Sequence, residues 1–168
     1  MLANLFKSRD LSKLGKIFLF AVLLSNMAFS QNAGFGSLAS DRTEPIEFNS
    51  DRLIFNQGEN LAELFDEVKI IQGKTVLSAD YVKAFYSKTN KLEKVFAERN
   101  IELKSEQDIA RADTAIYSLT ENSISLIGNA RLIQGANNIM ADQILINTET
   151  GLTQLLGSVK TVISPSTN

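Results

Sequence analysis

Four aspartates recur along the 168-residue chain at nearly even intervals: Asp51, Asp80, Asp113 and Asp142. Carboxylates perform acid/base and glycosidic chemistry and bind hard cations, so those roles are the first to weigh. Few other residue types remain to share them. The chain has no Cys, His or Trp, which excludes disulfides, thiol nucleophiles, imidazole acid/base catalysis and zinc sites built on His or Cys. Gly34, Gly36 and Ala39 formally fit the dinucleotide fingerprint G-x-G-x-x-A. No strand pattern precedes them and no amphipathic helix pattern follows, so a pyrophosphate would find no helix N-terminus there. No phosphate loop of the Walker type is present, and no cofactor is expected. A residue that returns once per repeat marks architecture. The aspartates are therefore read as structural, each bonding nearby backbone amides where a strand starts.

The repeat that carries them is a pair of strands. Residues 68–85 (VKIIQGKTVLSADYVKAF) align with residues 130–147 (ARLIQGANNIMADQILIN). Residues 101–117 are a weaker copy, with Ser105-Glu106-Gln107-Asp108 in place of the Gln-Gly turn, and residues 50–55 are half of another. Side chains on a strand alternate between faces. Two and four positions after each aspartate stand Leu53/Phe55, Val82/Ala84, Ala115/Tyr117 and Ile144/Ile146; twelve and ten before it, in the fuller copies, stand Val68/Ile70, Ile101/Leu103 and Ala130/Leu132. All fourteen are apolar or aromatic, whereas their neighbours include Lys69, Glu102, Arg131, Arg52, Lys83 and Thr114. That is the signature of one buried and one wetted face.

Leu61, Leu64, Phe65 and Val68 fit a helical spacing, and Leu92, Val95 and Phe96 look similar. The repeat, however, maps Ala62 and Leu64 onto Ile124 and Leu126 of SISLIG, which alternates as a strand. Both segments are expected to be strands, with a short helix near residues 59–65 as the alternative. Turn signals at Asn56-Gln57-Gly58, Gln72-Gly73, Thr89-Asn90, Gly135 and Thr150-Gly151 separate the apolar runs, and the two prolines, Pro45 and Pro165, bracket them. The class is all-β: sandwich, jelly roll or open barrel.

Lys7, Arg9, Lys13 and Lys16, followed by the apolar run 17–24 and by Ala28 and Ser30, have the layout of a secretory signal cut between Ser30 and Gln31. An uncleaved anchor is the competing reading, but the run is about half the ~20 residues needed to span a bilayer. Positions 1–30 carry +3 of a total charge of −2, leaving −5 on the rest. So acidic a body offers no footprint for nucleic acid. Lys83, Lys88, Lys91 and Lys94 read as a solvated loop, with contact to acidic head groups as the minority alternative. The expected organisation is a signal peptide at 1–30, a flexible leader at 31–44, a β domain at 45–163 and a tail at 164–168.

PIEFNSDRLIF, LSADYVKAFY and LIGNARLIQGANNIMADQILIN, in that order and spacing behind a signal peptide, resemble the OstA-like domain of the LptA family of lipopolysaccharide-transport bridge proteins. The resemblance spans about Glu44 to Ile163. It implies a β-jellyroll of many short antiparallel strands, slightly open along one side, with no catalytic residues. It further implies a groove for the acyl chains of lipid A, lined by the fourteen positions above. Its implied partners are lipopolysaccharide, an inner-membrane LptC-like protein, an outer-membrane LptD-like translocon and further copies of the chain joined head to tail, in the periplasm. The membrane-anchored LptC-like sister component and a filament that binds no lipid are the rival readings.

Overall fold

A computed structural model describes residues 35–163, with the exception of residue 107. The expected signal peptide and its cleavage point, Gly34, Pro165 and the tail at 164–168 lie outside the described residues.

From residue 46 onward each apolar run forms a strand, and the strands follow one another in an antiparallel meander. Six are long: β3 (Leu61–Gln72), β4 (Thr75–Tyr86), β5 (Leu92–Ser105), β6 (Asp108–Ser118), β7 (Ser123–Gln134) and β8 (Asn137–Asn147). Both borders of the sheet are broken strands. On one side β1 (Ile46–Asn49) and β2 (Arg52–Asn56) pair with the two halves of β3. On the other, β9 (Thr153–Leu156) and β10 (Lys160–Val162) pair with the two halves of β8. The borders do not pair with each other, so the sheet stays open. The stretch 59–65 is a turn leading into β3, not a helix.

The long strands each act as two short ones, because every one of them is irregular near mid-length. In β3, β5 and β7 two successive residues turn left-handed: Asp66 and Glu67 (φ 60° and 47°), Arg99 and Asn100 (66° and 53°), Gly128 and Asn129 (80° and 45°). In β4, β6 and β8 the inward parity flips across an aspartate. Leu77 and Ala79 face the core before Asp80, then Val82 and Ala84; Ala110 and Ala112 precede Asp113, then Ala115 and Tyr117; Ile139 and Ala141 precede Asp142, then Ile144 and Ile146. Bulges of this kind bend a strand and increase its twist. Lined up across the sheet, they fold it over, so that both halves of each long strand contribute to one hydrophobic core.

The marker aspartates hold these bends. Asp80 accepts from the Asn100 side-chain amide at 2.7 Å and Asp113 from that of Asn129 at 2.8 Å. Asp142 accepts from the Ser158 amide at 3.0 Å, and the Asp51 amide donates to the Asp66 carbonyl at 3.2 Å. Their role is structural, but Asp80, Asp113 and Asp142 sit at mid-strand corners rather than strand starts, and among the described residues only Asp142 of the four caps a backbone amide with its carboxylate. The alanines before three of them, Ala79, Ala112 and Ala141, are the inward residues next to the corner.

The turns fall in two rows, one at either end of the strands. The first row holds the two-residue hairpins at Gly73-Lys74, between Ser105 and Asp108, and at Gly135-Ala136. Glu106, in the copy lacking Gln-Gly, takes a left-handed φ of 51°, close to the 58° of Gly73. The second row comprises residues 57–60, 87–91, 119–122 and 148–152.

The expected loose leader is a further departure. Residues 35–41 include a one-turn helix α1 (Leu38–Asp41) and pack against the sheet, with Phe35 and Leu38 0% and 4% exposed within the core, while residues 42–44 are exposed. Small polar residues concealed two apolar anchors that have a seat only once the sheet has folded over.

The corner can be tested at Gly128. A Cβ there would stand 2.5 Å from Asp113 Oδ2 on a backbone that side chains rarely adopt. In urea denaturation Gly128→Ala should cost about 1–3 kcal/mol and Asp113→Ala about 1 kcal/mol. The double variant should lose less than the two combined, because the Asp113 side chain is what the new methyl group meets.

Candidate functional site

The apolar interior is the one feature that all the long strands build together. Of the fourteen residues singled out by alternation, eleven lie in it at 5% exposure or less: Val68, Ile70, Val82, Ala84, Ile101, Leu103, Ala115, Ala130, Leu132, Ile144 and Ile146. They meet one another across the fold, in one cluster with Leu64, Leu77, Val95, Ala97, Ile124 and Leu126. Those six lie outside the positions that the aspartate register marks, and the alternation on the far side of each bend is the signal that carries them.

Leu53 and Phe55 do not join this interior. They are 56% and 52% exposed, and every residue of β2 faces solvent. Among the described residues β2 is a border strand paired only to β3, and none covers its apolar side. Alternation reports which face is apolar, and only a neighbour can cover it. Phe55 instead touches Tyr86 edge-on, with ring centroids 6.2 Å apart.

Tyr117 marks the mouth of the fold, on the side away from the bends. It is half-buried near the second row of turns, and its hydroxyl donates to Gln72 Oε1, at the first row, over 3.2 Å. Desolvation pushes its phenol up, and the nearby Arg42 guanidinium partly opposes that. Tyr86 is likewise raised by burial. Both remain neutral near pH 7, so the mouth carries no phenolate. On the outer face Tyr81 is pushed up to about 12, first by burial and then by its hydrogen bond to Glu63.

The polar surface offers no comparable feature. A concavity of about 740 Å³ lies outside the bends of β5 and β6, among Glu98, Arg99, Asn100, Arg111 and Asp113. Arg111 there is already paired with Glu102 at 2.7 Å. The lysine stretch is only partly a loop. Lys83 and Lys94 stand on strands, their ammonium groups 5.7 Å and 5.0 Å from the ring centroids of Tyr81 and Phe85. Among the described residues no group of three or more acidic side chains could hold a metal ion.

The borders are the other distinctive element. Leu53, Ile54 and Phe55 on one, and Leu156 and Val162 on the other, are large apolar residues 43% to 56% exposed on strands with an unpaired side. An open edge of this kind invites another strand unless it is charged or covered.

An antiparallel β-jellyroll folded over an apolar interior and unpaired at both borders defines the class. Residues 47–152 match the family described as LptA/(LptD N-terminal domain) LPS transport protein, and the chain belongs to that family. It is a transport-family protein, not an enzyme. It is 28% identical over 135 residues to the lipopolysaccharide export system protein LptH of Pseudomonas aeruginosa, covering 73% of this chain and 77% of that one. An uncharacterized protein of Rhizobium meliloti is 26% identical over 146 residues, covering 80% and 78%. The crystal structure of LptH, described as the LptA homologous periplasmic component of the lipopolysaccharide transport device of P. aeruginosa, superposes with a TM-score of 0.67. That match is 22% identical and covers 75% of this chain and 99% of LptH, which establishes a shared fold.

Truncation separates interior from border. Ile144→Ala should lower unfolding stability by about 2–5 kcal/mol, as a large-to-small change in a packed core does. Phe55→Ala should change it by less than about 0.5 kcal/mol, both measured by chemical denaturation.

Proposed function

We propose that the chain is a periplasmic carrier of lipopolysaccharide, shielding the acyl chains of lipid A in its apolar interior while the sugar head group stays in water. The observation that carries this reading is a single hydrophobic core running beneath the long strands of a sheet that never closes. A closed barrel or a sandwich with paired borders would seal such a core. Transfer of an acyl chain of about a dozen carbons from water is worth on the order of 10 kcal/mol at ~0.8 kcal/mol per methylene, before ordering costs. The groove lining comprises the eleven interior positions with Tyr117 at the mouth, and Leu53 and Phe55 flank its open border. Since the interior is packed, a guest is admitted by parting the two rows of turns.

The borders supply the second half of the function. Copies join head to tail, β2 of one against β9 and β10 of the next, by strand addition. Such heterologous contacts extend into open filaments, which aligns successive interiors into one conduit. An LptC-like protein at the inner membrane loads the chain, and an LptD-like translocon at the outer membrane receives the cargo. Export to the periplasm follows cleavage between Ser30 and Gln31. Among the described residues no helix is long and apolar enough to cross a membrane. The sequence carries no phosphate loop, so the work of transport comes from the partner that loads it.

Two measurements bear on this reading. A photo-crosslinker at Tyr117 should label lipopolysaccharide, whereas one at Lys88, on the outer surface, should not; equal labelling from both positions sinks the groove. Phe55→Asp and Val162→Asp should each reduce concentration-dependent assembly in analytical ultracentrifugation while leaving the thermal midpoint nearly unchanged. Undiminished assembly in both would remove the borders as the joining surface.

A further inference from the structure

The segment 35–42 lies across the mouth and ties its two sides together. On the first row of turns, Ser37 Oγ is 2.5 Å from Ser105 Oγ, and Asp41 accepts from the Lys74 amide at 3.1 Å and the Thr75 hydroxyl at 2.7 Å. Gln72 Nε2 adds a bond to the Arg42 carbonyl at 3.0 Å. On the second row, Arg42 pairs with Glu149 at 2.7 Å, and Gly36 presses on Gly151 so closely that a Cβ on Gly151 would stand 2.7 Å from the Gly36 Cα. Beneath this strap Phe35 and Leu38 enter the same cluster as Val82 and Ile144.

The attachment differs in kind from everything else in the core. Among the described residues no backbone–backbone hydrogen bond joins residues 35–44 to a strand. The strap is held by side-chain contacts and by two apolar anchors on and beside a single helical turn. The Arg42–Glu149 pair is partly exposed, with side chains 37% and 50% accessible. Water can replace its polar contacts, and any sufficiently apolar guest can replace its anchors.

The geometry points to residues 35–42 as a displaceable strap whose anchors, Phe35 and Leu38, occupy an acyl-chain subsite at the mouth of the empty carrier. The seat excludes water while no cargo is bound, and an acyl chain takes it by expelling the anchors. This rests on the lipid-shielding reading above. A guest shifts the strap only by binding the strap-out form better than the strap-in form, so anything that holds the strap in must weaken binding, and anything that loosens it must strengthen binding.

The absence of native cysteine makes the test clean. Ser37→Cys with Ser105→Cys places the only two thiols of the protein where two hydroxyl oxygens already touch. The full exported chain carrying this pair and a photo-crosslinker at Tyr117 is exposed to purified lipopolysaccharide in its oxidised and in its reduced state. Labelling should fall at least tenfold on oxidation and return on reduction, with the same far-UV β spectrum in both states. Phe35→Ser with Leu38→Ser, in the chain without added cysteines, should raise labelling severalfold at sub-saturating lipopolysaccharide. Equal labelling of the oxidised and reduced forms overturns the strap and leaves the groove standing. Absence of labelling in both forms and in the chain without added cysteines overturns the groove reading and the strap with it.

Discussion

A meander of antiparallel strands with one apolar face can bury that face only by folding over itself, and here the fold is made by one line of bends. Paired left-handed residues in β3, β5 and β7 and a parity flip in β4, β6 and β8 turn every long strand at the same level. The aspartates are the fasteners of that line: Asp80 and Asp113 each reach the irregular residue of the strand beside them, and Asp142 reaches the break between β9 and β10. Without the bends the apolar face would be a flat exposed sheet, a form prone to edge-to-edge aggregation.

Folding by bending, instead of closing by pairing, leaves three openings. Two are the borders, where broken strands present backbone groups and apolar side chains to solvent. The third is the mouth between the rows of turns, crossed by the Tyr117–Gln72 hydrogen bond and by the segment 35–42. On the carrier reading, passing apolar cargo along needs such openings, and a bent sheet supplies them while keeping a packed core. The broken borders follow the same line: β1 with β2 and β9 with β10 bend at the level of their neighbours, the shape that the proposed head-to-tail assembly would use.

Much of the core could be read directly. Period-two alternation counted from a repeated aspartate located Val82, Ala84, Ile144 and Ile146 because the unit recurs and each copy votes on the register. It worked on one side of each bend at a time. Leu77 and Ala79, before Asp80, have the opposite parity from Val82 and Ala84, so a single alternation carried through the bend would have put one pair outside. The left-handed corners were also hidden, since Glu67 and Arg99 are not residues that announce a positive φ.

The chain on its own determined its repeat, its all-β class, most of the turns and the inward register within each half-strand, since these are local consequences of side-chain alternation and backbone preference. Tertiary structure alone decided which apolar residues are covered. Leu53 and Phe55 obey the same pattern as Val82 and Ala84 yet face water, because burial requires a layer on the other side and a border strand has none. Phe35 and Leu38 obey no pattern and are buried, because the folded sheet offers them a seat. Exposure belongs to the neighbourhood of a residue, and neighbours far apart in sequence are brought together only when the sheet bends.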